Sequence, residues 1–103
     1  MGFFNLLSGN TKTISIEEYL ERNAIVIDVR TSMEFMEGHV QGSKNIPLDR
    51  IGSQLAEIIK YNKPVITCCR SGARSGSAAN MLKQQGIDAI NGGPWQNVEA
   101  CIK

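Results

Sequence analysis

Two short runs of mostly β-branched residues, Ala24-Ile25-Val26-Ile27 and Pro64-Val65-Ile66-Thr67, constrain the fold more than any other feature of this chain. Neither alternates apolar with polar residues, so neither suits a strand with one wet face. A short unbroken apolar run fits a strand covered on both sides. Helical patterns separate them. Ser15-Ile16-Glu17-Glu18 reads as a capping box, with Ile14 and Tyr19 as its hydrophobic staple, and predicts a helix to about Arg22. Thr31-Ser32-Met33-Glu34 is a second capping box, with Gly38 as the stop. Asp49 is placed to cap a helix that carries Ile51, Leu55 and Ile58 on one face and ends before Pro64. Ser75 to Gln85 carries Ala78, Met81 and Leu82 at helical spacing, with Gly86 at the C′ position. Ile87-Asp88-Ala89-Ile90 is a last strand, and a terminal helical turn or two follows Gly92-Gly93-Pro94. Strands alternating with helices predict an α/β domain around a mainly parallel sheet. Function in such sheets gathers beyond the carboxyl ends of the strands.

The chain has 103 residues, enough for one domain with its own core. Eleven Lys and Arg against ten Asp and Glu leave a net charge of +1, which gives no bulk attraction to nucleic acid or an anionic membrane. Three cysteines are too few, and odd in number, for a secreted disulfide framework. No apolar run approaches a membrane span, and the expected location is a reducing cytoplasm. Residues 1–12, with Phe3, Phe4, Leu6 and Leu7, are expected to form an N-terminal flap packed on the domain. One histidine and two adjacent cysteines lack metal-ligand spacing, so neither a metal nor another cofactor is expected.

The chemistry points to Cys68-Cys69-Arg70-Ser71-Gly72-Ala73-Arg74-Ser75, between a buried strand and a helix. Gly72 allows a backbone turn that aims successive N–H groups inward. The next helix brings its free N–H groups and the positive end of its dipole to the same place. Arg70 and Arg74 add two permanent charges. A thiol in such a cup ionises below its free value of about 8.5 and becomes a nucleophile beside an anion site. Cys69 is the candidate nucleophile, and Cys68 is read as a buried end of the strand.

Cys69-Arg70-Ser71-Gly72-Ala73-Arg74-Ser75 resembles the active-site loop of rhodanese sulfurtransferases, whose small members carry Cys-Arg-Ser-Gly-x-Arg-Ser. Ile27-Asp28-Val29-Arg30, Glu34-Phe35, Gly38-His39-Val40 with Gly42, and Asn45-Ile46-Pro47-Leu48 are similar to that family's upstream stretches. Two departures stand out: Ser43 where Ala is common, and Trp95 directly after Pro94. The resemblance covers about Thr13 to Pro94 and implies a rhodanese-like domain over 13–103, with about five mainly parallel strands flanked by helices on both faces. It implies sulfur transfer through a Cys69 persulfide. The substrate anion would be held by residues 70 to 74: Arg70, Ser71, Gly72, Ala73 and Arg74. The arginine-rich loop implies thiosulfate or a protein persulfide as donor, with cyanide or a thiol as acceptor. Asp28, Arg30, Glu34 and His39 are read as scaffold.

Two other functions compete. Counted from Cys68, Arg74 falls at the spacing of a cysteine phosphatase loop, but Thr67 and Ser71 stand where that loop has His and Gly. A rhodanese-like module used only for binding or regulation is the other alternative. Such modules commonly lose the cysteine that this chain keeps.

Overall fold

Ile25–Asp28 (β1) and Val65–Cys69 (β3) lie side by side at the centre of a four-stranded parallel sheet in this computed structural model. The structure describes residues 8–102, with side chains from Ser15 onward. Lys44–Asn45 (β2) pairs with β1 on one edge, and Ala89–Pro94 (β4) pairs with β3 on the other, giving the order β2-β1-β3-β4. The helices are Ser8–Glu21 (α1), Ser32–Met36 (α2), Leu55–Tyr61 (α3), Ala73–Gln84 (α4) and Trp95–Cys101 (α5). This is the α/β parallel architecture expected, with four strands among the described residues where about five were anticipated.

Both central strands are covered on both sides, which is why neither shows a polar alternation. Ile27, Val65 and Cys69 pack with Ile58 of α3 and Ala78 and Leu82 of α4. Val26, Ile66 and Cys68 pack on the other face with Ile16 of α1 and Val98 and Cys101 of α5. Successive residues of a strand point to opposite faces. The adjacent cysteines therefore belong to different halves of the core, and only Cys69 faces α4.

The second capping box forms as read. The Thr31 side chain accepts the N–H of Glu34, and the Glu34 side chain accepts the N–H of Thr31. The first does not: α1 begins at Ser8, so Ser15 lies inside the helix. No proline interrupts residues 8–14, and their threonines and Gly9 weaken a helix without ending it. The side chain of Ile14 lies outside the described residues, as do residues 1–7 with the apolar side chains of the expected flap. α1 runs across the boundary placed after residue 12.

Two further expectations are corrected. Asp49 caps no helix; it sits in a 3-10 turn, Leu48–Arg50, which a second, Gly52–Gln54, follows before α3 begins. Gly52 and Ser53 are poor helix formers, so the α-helix starts late. Ile51, Leu55 and Ile58 still reach one core. The last strand begins two residues later than predicted and runs through Gly92-Gly93-Pro94. Between Thr67 and Cys69 of β3 the pairing advances from Asn91 to Pro94, so β4 carries one extra residue there. A Cβ at Gly92 would lie 2.7 Å from Val98 and 2.8 Å from both Ile66 and the Thr67 carbonyl. Only glycine fits, and the pair that reads as a loop is a bulged strand.

Candidate active site

Cys69 ends β3, and four residues later α4 begins, so the connection is the tight turn of Arg70, Ser71 and Gly72. Gly72 is the N-cap of α4 at φ 101°, a left-handed conformation that costs a side-chain-bearing residue energy. The helix starts at Ala73, two residues before the predicted Ser75. Ala73, Arg74 and Ser75 therefore form its first turn, and their N–H groups lack carbonyl partners within the helix.

The turn closes on the sulfur. Cys69 Sγ accepts the N–H of Gly72 at 3.0 Å and that of Ser75 at 3.4 Å, and lies 3.3 Å from Ser75 Oγ. Burial pushes this thiol up, as it does for any group whose ionised form needs water. Hydrogen bonds from the Ser75 hydroxyl and from the N–H groups of Ser75, Gly72 and Ser71 outweigh that effect and leave Cys69 below its ordinary value. Cys68 shows the opposite outcome. Burial, joined by the negative charge of Asp28, pushes it far up and keeps it a neutral thiol.

Arg70 and Arg74 were expected to face a substrate anion; in the structure both turn to Glu34. Arg74 donates to its two carboxylate oxygens at 2.8 and 3.1 Å, and Arg70 Nε lies 3.5 Å from one of them. The Arg74 contact, with hydrogen bonds from Thr31, holds the Glu34 carboxyl well below the usual carboxylate range. Arg70 keeps 68% of its side chain exposed, so it alone of the two projects largely into solvent. The groups nearest the sulfur are N–H donors and the Ser75 hydroxyl.

A buried ion pair braces the neighbouring strand end. Arg30 Nε and Nη2 donate to Asp28 at 2.7–3.1 Å, while Nη2 also reaches the Gly38 carbonyl at 2.6 Å and Nη1 the Glu34 carbonyl at 3.2 Å. Its guanidinium lies 5.2 Å from the centre of the Trp95 ring. Trp95, directly after Pro94, thus packs over the Gly38 turn. Arg30, Gly38, Arg70 and Trp95 line a recess of about 210 Å³ beside the loop. His39 stacks on Phe35, and its Nδ1 lies 2.7 Å from the Phe35 carbonyl, an anchoring arrangement. No group of His, Cys, Asp and Glu among the described residues could hold a metal ion. No described helix is long and apolar enough to cross a membrane.

The rhodanese-like domain family matches residues 15–94. The chain belongs to that family. It is 41% identical over 81 residues to the Bacillus subtilis protein YqhL, covering 77% of this chain and 64% of that protein. It is 36% identical over 65 residues to the Escherichia coli thiosulfate sulfurtransferase PspE, covering 62% of each. The chain thus spans about three fifths of the length of these relatives. Among solved structures, an E. coli rhodanese with anions superposes at a TM-score of 0.66 with 32% identity, covering 72% of this chain and 89% of that one. Beside the residues that sequence reading singled out, this rhodanese-like domain shows two that it did not. Ser75 lies in the motif, but its burial against the sulfur follows only from a helix that starts at Ala73. Asn91 of β4, whose Oδ1 accepts the Ser75 hydroxyl at 2.7 Å, had no signal in spacing or composition.

Proposed function

We propose that this rhodanese-like domain moves a sulfane sulfur from thiosulfate or a protein persulfide to a thiophilic acceptor through a persulfide on Cys69. The observation that carries the reading is a sulfur at a strand end, hydrogen-bonded by N–H groups of one turn and below its ordinary thiol value. The Cys69 thiolate attacks the outer sulfur of thiosulfate, the S–S bond breaks, and sulfite leaves with the electron pair. Cyanide or a thiolate then takes the outer sulfur and returns the thiolate. The negative charge passes from the Cys69 sulfur to the outer sulfur and back, and N–H groups aimed at that place stabilise it throughout. No general base is needed, because the nucleophile is already biased toward its ionised form.

Support comes from the sulfurtransferase names of several relatives and from the E. coli rhodanese with anions. The phosphatase alternative needs Cys68 as nucleophile, and Cys68 packs on the far face of the sheet as a neutral thiol. The purely regulatory alternative leaves the loop without a purpose. Thiols at Cys68 and Cys69 fit a reducing compartment, and the near-neutral charge offers nothing to nucleic acid.

The test is intact-mass analysis after incubation with thiosulfate, together with turnover to cyanide. Wild type and Cys68→Ser should gain one sulfur and turn over, and folded Cys69→Ser should do neither. Persulfide on the Cys69→Ser variant, or none on wild type with any donor, overturns the proposal.

A further inference from the structure

The Ser75 hydroxyl has one proton and faces two acceptors. Its oxygen lies 3.3 Å from Cys69 Sγ and 2.7 Å from Asn91 Oδ1, and the residue is fully buried. Asn91 is held in turn. Its Oδ1 accepts the N–H of Gly93 at 2.8 Å, and its Nδ2 donates to the Gly72 carbonyl at 3.0 Å. A Cβ at Gly76 would come within 3.1 Å of that amide nitrogen, so the first turn of α4 is cut back to admit it. One side chain of β4 thus ties together the bulge, the loop and the start of α4.

We propose that Asn91 is a positioning residue that holds the Ser75 hydroxyl off the sulfur while Cys69 is a thiol and yields it when Cys69 ionises. The inference rests on Cys69 as the nucleophile of the proposed sulfur transfer. In the thiol state, S–H donates to Ser75 Oγ and the Ser75 O–H donates to Asn91 Oδ1. Once the thiol proton has left for solvent, the sulfur can only accept, and the Ser75 O–H turns to it. Asn91 Oδ1 keeps the Gly93 N–H, so neither state leaves that oxygen orphaned, which a buried site would otherwise make costly. In the persulfide the charge sits on the outer sulfur, and the hydroxyl returns to Asn91. The S–H bond breaks on ionisation, its proton going to solvent and its electron pair staying on sulfur; Ser75 itself makes and breaks no covalent bond, and only its O–H rotates.

A merely structural Asn91 and a positioning one predict opposite signs. Asn91→Ala removes the competing acceptor and leaves Ser75 free to donate to the thiolate. The Gly72 carbonyl stays anchored by the N–H of Gly76 at 2.9 Å. The charged groups around the site are Arg70 and Arg74 of the loop and α4, Glu34 of α2, and the Asp28–Arg30 pair of the β1 end. None is altered. The experiment is the pH dependence of Cys69 alkylation by a neutral reagent, located by mass spectrometry, in wild type and Ser75→Ala backgrounds. The midpoint should fall by about half a pH unit in Asn91→Ala and stay put when Ser75→Ala is already present. Asn91→Asp, a stronger acceptor carrying a negative charge, should move it the other way. A rise in Asn91→Ala, or an equal shift in both backgrounds, overturns the proposal. The readout is the thiol itself, so absence of sulfur transfer in wild type would refute the function while leaving this result separately legible.

Discussion

Replacing Asp28 by Asn is the most informative single perturbation of the scaffold. The carboxylate is fully buried and its partner Arg30 keeps 4% of its side chain exposed, so the pair is removed from water. Oδ1 accepts both the backbone N–H and Nε of Arg30, and Oδ2 accepts Nε and Nη2. An amide supplies one oxygen where the carboxylate supplied two, and its NH₂ would face guanidinium donors. Arg30 would keep that one oxygen and the Gly38 and Glu34 carbonyls, with no charge to offset its own. Removing one member of a buried pair costs about 3–5 kcal/mol, because the remaining charge is stranded. Domain stabilities run at about 5–15 kcal/mol, so at least about a fifth of the total would go. Urea unfolding of Asp28→Asn should show that loss as a lower midpoint at unchanged slope. The double variant Asp28→Asn/Arg30→Met should recover part of it, since no stranded charge remains. A loss below about 1 kcal/mol, or a double variant worse than the single one, would refute the view that this pair is dry and mutually dependent.

Three further outcomes follow from the same geometry. Glu34→Gln keeps an oxygen for the Thr31 cap but cancels the charge that engages Arg70 and Arg74, so the KM for thiosulfate should fall by about three- to tenfold; an unchanged KM would mean that neither arginine meets the donor. Gly92→Ala should lower stability by about 1–3 kcal/mol in thermal or urea melts, because its Cβ has no room. Cys69 should alkylate with a midpoint below the free-thiol value of about 8.5. Since its folded value is depressed, the thiolate's stabilisation is complete above the unfolded value and fades as pH falls through the folded one. The stability difference between wild type and Cys69→Ala should therefore grow between those two pH values, and a flat difference would count against the ionised loop.

The parts of the fold that were legible in the sequence are those decided locally or by burial on both faces. β1 and β3 announce themselves because a doubly covered strand has no polar side to show. The Thr31–Glu34 box forms because both partners lie within one turn. The start of α1, the 3-10 turns after Pro47 and the extension of β4 were hidden. Each depends on what the segment packs against; a Gly-Gly-Pro sequence looks like a turn until the crowding of Val98, Ile66 and Thr67 around Gly92 is known. The site divides the same way. Cys69, Ser71, Gly72 and Ala73 sit in one contiguous loop, so their meeting is a matter of a single turn. The direction of Arg74 is set by Glu34, forty residues upstream, and the environment of Ser75 by Asn91, sixteen residues downstream. Neither distance leaves a mark in a single sequence.

That division bears on how the loop would stabilise an anion. From the sequence, two arginines around a cysteine suggest attraction by net charge. In the structure Glu34 cancels one of those charges, and Asp28 cancels that of Arg30, so the cup is at most singly positive before the thiol ionises. Once Cys69 is a thiolate, the net charge around it is near zero. A dianion arriving from solvent then meets no surplus of cations. What remains to hold charge at the sulfur is the set of N–H groups from Ser71, Gly72 and Ser75 and the Ser75 hydroxyl. Such dipoles are fixed by the Gly72 turn and the first turn of α4 and would need no reorganisation as charge moved from one sulfur to the next in the proposed transfer. A long cation would follow the charge by changing rotamer. A cup of backbone N–H groups holds its aim, and the proposed transfer, which would load and unload one sulfur at one place, needs donors that stay put through both halves of the cycle.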